Sequence, residues 1–232
     1  MMHSPLITEP LFRIGEVPVS APVATTWALM VLVIAAAAAV RLRLSLTPGK
    51  LQAAVELFVS TLDGQLRDTM QIDPARCRAL LGTLFLFILG CNWSSLIPGV
   101  EPPTAHLETD AALAGIVFAS SLFYGIRARG LAGYLASFAQ PTWIMIPLNL
   151  VEQMTRTFSL IVRLFGNVMS GVFVIGIVLS LAGLLVPIPL MALDLLTGAV
   201  QAYIFTVLAA VFIGGALGDE SAPAQHPPQG AS

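Results

Sequence analysis

The chain has 232 residues, 56% of them hydrophobic and only 10% charged, with a mean hydropathy of +0.86. Soluble domains carry about 25% charged residues, so this is the composition of a polytopic membrane protein and excludes a soluble globular enzyme. A net charge of -2 with no basic patch excludes nucleic-acid binding.

Residues 1–20 hold Pro5, Pro10 and Pro18, with Arg13 set against Glu9 and Glu16. No basic region precedes a short apolar core, as a signal peptide requires. The segment reads as a short N-terminal arm with a surface helix or strand. The first span covers about 22–40, close to the ~20 residues of a bilayer crossing, and ends at Arg41 and Arg43. Thr47-Pro48-Gly49 is a turn signal before a helix start. Residues 50–70 are too charged to cross. Leu51, Val55, Phe58, Val59 and Leu62 recur at helical spacing opposite Glu56, Asp63 and Arg67, the pattern of an amphipathic helix on the membrane surface or against a partner.

The second span covers about 78–97 and is broken by Pro98-Gly99, with Asn92, Ser94 and Ser95 near its exit. The following loop, 98–110, carries Glu101, His106, Glu108 and Asp110 but no Lys or Arg. The third span covers about 111–126, ending at Arg127 and Arg129. Six of the 11 basic residues fall in 41–78. By the positive-inside rule the N-terminus is outside and the 41–78 connection is cytoplasmic. Residues 130–145, with Gly130, Gly133, Tyr134 and Trp143, read as an interfacial connection. A helical pattern then runs over 146–182, about 37 residues or roughly 55 Å. That exceeds the ~30 Å hydrocarbon thickness, so the helix must tilt, bend or protrude. Gly183, Pro187 and Pro189 mark a tight connection to a last long span, 189–217. The tail, 218–232, is rich in Pro, Ala and Gly and reads as disordered and cytoplasmic. The fold class is thus all-α: five transmembrane helices and a surface helix, the last two spans forming a long, strongly tilted hairpin, with 21–217 as one membrane domain.

Polar residues concentrate in that hairpin. Glu152, Arg156, Ser159, Arg163, Asn167 and Ser170/Gly171 are spaced three to four apart and form one stripe. Asp194, Thr197 and Gln201 form a second. Stripes that face each other or a shared aqueous cleft offset the insertion cost of charged residues. For Ser159, Ser170 and Thr197, simple interhelical hydrogen bonding is an equal alternative, and for Asn92 and its neighbouring serines it is the better one. Glu152 and Arg156 suit an internal ion pair. Arg163 does not: its i±3 and i±4 neighbours are Leu160, Ser159, Gly166 and Asn167. A guanidinium stays charged, and at mid-bilayer it costs at least ~2.5 kcal/mol. Its carboxylate partner is Asp194 or belongs to another chain. Gly166, Ser170 and Gly171 leave room for a neighbour to approach, although ordinary helix packing also uses such residues.

Cys77 and Cys91 are roughly 21 Å apart along one helix, too far to bridge. His3, His106 and His226 lie in the termini and a loop. Nothing marks a catalytic, nucleotide, metal or other cofactor site. An intramembrane enzyme is remote, since no Ser/His pair or paired acids share a span. An independent secondary transporter that binds an anion at Arg163 is the alternative function, but the internal repeats common in transporters are absent.

The segment SLIVRLFGNVMSG, followed about 30 residues later by AVQAYIFTVLAAVFI, resembles subunit a of F-type ATP synthases, as does the loop IPGVEPPTAHLETDAALA. The likeness covers roughly 20–217, and the compact length resembles the bacterial N-type branch. It implies a non-catalytic stator in the bacterial inner membrane, with two offset half-channels passing protons or Na+ to a rotating c-subunit ring. It implies the b-subunit peripheral stalk and the rest of the complex as partners, besides membrane lipid. By motif position Arg163 is the essential arginine that faces the ring carboxylate. Asn167 and Gln201 match polar positions near it, Asp194 the outer half-channel, and Glu152 the cytoplasmic exit; Ser159 lies on the same stripe. Two positions depart from the family pattern. Val172 stands where many members have an acid, which leaves Asp194 to carry the outer channel alone, and His106 stands where an acid is expected.

Overall fold

The computed structural model describes residues 10–14, 17–42, 49–70, 73–97, 100–138, 145–182 and 186–217. The Thr47-Pro48 turn, the Pro98-Gly99 break, residues 139–144, Gly183 and the 218–232 tail lie outside the described residues, as do 1–9. The arm is a β-hairpin: β1, Pro10–Ile14, pairs antiparallel with β2, Val17–Ser20. Everything after it is helical.

Six helices follow: α1 (Ala21–Leu42), α2 (Lys50–Met70), α3 (Arg78–Trp93), α4 (Leu107–Phe138), α5 (Met145–Ala182) and α6 (Pro187–Leu217). Among the described residues, all but α2 are long and apolar enough to cross a membrane, α3 doing so together with the 3-10 turn Ser94–Leu96. The chain is an all-α membrane protein.

The third span departs from the sequence expectation of 111–126. Its helix starts at Leu107 and its apolar length reaches Leu131. Glu108 and Asp110 are therefore in the first helical turn, not in a loop. Acidic residues suit that position because the free N–H groups and helix dipole favour negative charge. Gly130 breaks the helix at φ 73°, ψ 165°, a conformation that disfavours any residue with a Cβ. Helix resumes to Phe138, where the sequence suggests an irregular connection.

Helix α6 is the axis of the bundle. It packs on α2, α3, α4 and α5 and buries Ala202, Phe205, Ala209, Ala210 and Ile213 completely. The core is completed by Leu81, Leu84 and Ile88 of α3, Leu113, Ala114 and Val117 of α4, and Leu160 and Leu164 of α5. Small residues on α6 allow the close approaches: a Cβ on Gly198 would lie 3.0 Å from that of Asn92, and one on Gly214 would lie 3.4 Å from that of Met70.

The amphipathic helix α2 packs on α6 and α3. Its inward stripe starts lower than the sequence suggests. Val55 is exposed, whereas Leu66 and Met70 are buried, and the Tyr203 hydroxyl of α6 donates to Gln65 Oε1 at 2.7 Å. Helix α1 stays peripheral. It packs mainly on α3 and leaves Trp27, Val31, Leu32 and Ile34 exposed.

Candidate functional site

Helix α5 has two sides. Leu160, Leu164 and Val168, four apart, are buried in the core. The opposite side is exposed and carries Glu152, Arg156, Ser159 and Arg163. The polar stripe is therefore placed by the apolar one: burying Leu160 and Leu164 forces Arg163 outward, as helical periodicity requires. Arg163 lies seventeen residues from Ile146 and eighteen from Leu181, midway along the apolar stretch of α5. No carboxylate among the described residues reaches it. Gly166, one turn on, has open space where a Cβ would stand.

The expected alternative of an Arg163–Asp194 pair is thus not formed. Asp194 projects from α6 toward Gly171 of α5, so closely that a Cβ on Gly171 would lie 2.9 Å from its Cγ. Ser95 Oγ lies 3.1 Å from Asp194 Oδ2 and 2.8 Å from the Asn92 carbonyl. One hydroxyl proton serves one acceptor at a time. Both contacts are hydrogen bonds at once only when Asp194 itself carries a proton and donates it to Ser95. This pair can hold a proton and pass it on.

A second set of bonds fixes that end of the bundle. The Asn92 amide donates to the Gly198 carbonyl of α6 at 2.8 Å, and the Thr104 hydroxyl donates to Asn92 Oδ1 at 2.9 Å. Trp93 Nε1 donates to the Leu195 carbonyl at 3.3 Å. Asn92 acts as the interhelical joint its residue type suggests. Nearby, His106 Nε2 is 3.6 Å from Glu101 Oε2, with the histidine largely covered and the glutamate exposed.

Between Asp194 and the Arg163 level lie two amides. Gln201 is buried at 7% exposure, and both its Nε2 and Asn167 Nδ2 are buried with no protein partner among the described residues. Unpaired buried amide donors are rare in proteins and suit a site where water or an ion-carrying group visits.

The lower half of α5 borders a groove of about 720 Å³, lined by Glu152, Arg156, Ser159 and Arg163 with Leu208, Val211 and Phe212 of α6. Arg156 pairs with Glu152 on the next turn, and its guanidinium sits 5.6 Å over the Phe212 ring. This pairing leaves Arg163 as the unneutralised cation of the stripe.

The six predicted residues thus form two groups. Glu152, Ser159 and Arg163 share the groove. Asp194, Gln201 and Asn167 belong to the interior of the α5–α6 pair, toward the Pro187 end. Ser95, Thr104 and Asp110 are polar members the sequence does not single out. Thr104 and Asp110 are wholly buried. Only Gly171 and Gly198, small residues opposite Asp194 and Asn92, hint at these contacts.

The family model described as "ATP synthase A chain" matches residues 23–214. Relatives extend over nearly the whole chain. An "ATP synthase subunit a 2" of Bradyrhizobium sp. is 54% identical over 94% of this chain and 98% of its own length. The subunit a of Albidiferax ferrireducens is 43% identical over 87% and 88%. That of Chlorobaculum tepidum is 42% identical over 89% and 94%. A multi-pass helical chain with a charged stripe midway along its longest span, matched end to end by these proteins, belongs to the ATP synthase A chain family, the non-catalytic subunit a of the membrane sector of F-type ATP synthases.

Proposed function

We propose that this chain is the ion-translocating stator of the membrane sector, with two half-channels that pass protons or Na+ to and from a rotating c-subunit ring. The observation that carries the reading is Arg163: exposed, midway along α5, without a carboxylate of its own chain and beside an open Gly166. The missing carboxylate belongs to the ring. A fixed guanidinium there favours the ionised form of a passing carboxyl group, so the carboxyl releases its ion on arrival. It also stops protons crossing directly between the two groups of polar residues.

One half-channel is the groove bordered by Glu152 and Ser159, which opens to the cytoplasm. The other runs from the opposite surface through Asp194, Gln201 and Asn167. The distribution of Lys and Arg places the N-terminus outside and the C-terminus in the cytoplasm of a bacterial inner membrane. The b-subunit peripheral stalk holds the chain against the ring's torque. A proton crossing 100 mV releases about 2.3 kcal/mol, and this drives rotation.

The test is Arg163→Ala in an assembled, reconstituted complex. ATP-driven ion pumping is abolished if the reading is correct. A mutant complex that pumps at the parental rate refutes it.

A further inference from the structure

We infer that Asp110 is an additional proton-carrying residue of the path, standing between the surface at the Pro187 end and the Asp194–Ser95 pair. This rests on the stator reading above.

Asp110 is fully buried, and neither of its carboxylate oxygens has a hydrogen-bond partner among the described residues. Folding strongly disfavours a buried acid with no donor, and an apolar residue of similar size would pack better. A helix start does not explain it, because an acid serves a first turn equally well from the surface. Glu108, two residues earlier, does so while exposed. Asp110 ties no helix to another. Its four oxygen lone pairs are left to accept protons.

Its placement suits transfer. Asp110 follows the 3-10 turn Pro103–Ala105, which packs on α3, α4 and α5. That turn carries Thr104, hydrogen-bonded to Asn92, and Asn92 adjoins Ser95 and Asp194 through the bonds described above. On the surface side, the Thr109 N–H donates to the His106 carbonyl at 3.1 Å, so His106 heads the helix one turn before Asp110. His106 in turn meets the exposed Glu101. The other titratable groups at this end are Cys91 on α3, Glu108 on α4 and Asp194 on α6; α5 contributes none beyond Arg163. Glu101 and His106 thus gather protons at the surface, Asp110 receives them within the bundle, and Asp194 delivers them toward the ring. Each step moves one proton between carboxyl, imidazole or water oxygen and nitrogen atoms, with no other bond changed.

The experiment uses reconstituted complexes and ATP-driven proton pumping per assembled complex. Asp110→Asn is expected to lower pumping roughly tenfold or more, the scale of losing one positioned acid–base group. Asp110→Glu should recover it to within about twofold, which a purely structural role gives no reason to expect. Loss of pumping in Asp110→Asn that Asp110→Glu does not recover, or no loss at all, overturns the inference. Arg163→Ala and Asp194→Asn run alongside. If they abolish or slow pumping while Asp110→Asn does not, only Asp110 is excluded; if all three pump normally, the stator reading itself fails. If the Asp110 variants do not assemble, the wild-type complex is treated with a hydrophobic carbodiimide and mapped by peptide mass spectrometry. A modified Asp110 supports its role as a carboxyl that takes up protons, and an unmodified Asp110 beside modified ring carboxyls overturns it.

Discussion

Gly171→Ala tests the Asp194 site without removing any ionisable group. The added Cβ enters space held by the Asp194 carboxylate, 2.9 Å from its Cγ. Asp194 must rotate away or α5 and α6 must part. Rotation off a favoured rotamer costs about 0.5–1.5 kcal/mol. Losing the 3.1 Å contact with Ser95 costs about 1 kcal/mol more. Replacing glycine by alanine inside a helix returns about 1 kcal/mol. The net destabilisation is about 1 kcal/mol, small enough for the complex to assemble. Proton transfer is far less tolerant. A displacement near 1 Å of a reacting group lowers a rate about 100-fold, so pumping should fall by one to two orders of magnitude at nearly normal assembly. The assay is ATP-driven acidification of inverted vesicles, normalised to the amount of complex. The same exchange made on top of Asp194→Asn should cost little further, because both act through one carboxyl group. Parental pumping in Gly171→Ala, or full additivity in the double variant, would falsify the placement of Asp194 on the path.

Asn92→Leu strands the buried Thr104 hydroxyl and removes the donor to Gly198; at about 1–3 kcal/mol for a stranded buried group, the melting temperature of the complex should drop, and an unchanged melt contradicts the joint. Glu152→Gln breaks a half-exposed ion pair within one helix, worth only about 0.3–0.5 kcal/mol. Assembly should therefore be unaffected while pumping slows, and unslowed pumping removes Glu152 from the exit. Burial pushes the Cys77 thiol above its ordinary range, with the Arg76 charge opposing it. A raised pKa means less thiolate at pH 8, so maleimide should label Cys77 more slowly in the native complex than after denaturation; equal rates would count against its buried position.

The spans were legible because a run of about 20 apolar residues has few other uses. The start of α4 was not. Glu108 and Asp110 look like loop residues when charge is weighed against lipid alone, yet a helix start favours acids and the protein, not lipid, surrounds Asp110. The inward side of α2 was read too far toward its N-terminus. Asp63 and Arg67 interrupt the apolar pattern, so Leu66 and Met70 seemed unrelated to Phe58 and Leu62. The exposure of Arg163 followed from periodicity, since Leu160 and Leu164 define the buried side. Where Asp194 points did not, because its neighbours Ser95 and Gly171 belong to two other elements of the bundle. Pairings across helices leave almost no trace in one sequence beyond the small residues that permit them.

The 36 apolar residues of α5 amount to about 54 Å of helix. Immersed along its whole length in ~30 Å of hydrocarbon, such a rod lies some 55° from the membrane normal. Steps along it then become mostly sideways distance. Glu152 and Gly171 are about 28 Å apart on the axis, and roughly 23 Å of that runs parallel to the bilayer. An ion entering near one and leaving near the other is therefore not dropped through the membrane. It must be taken around, and the direction in which α5 leans decides which way is the long way round.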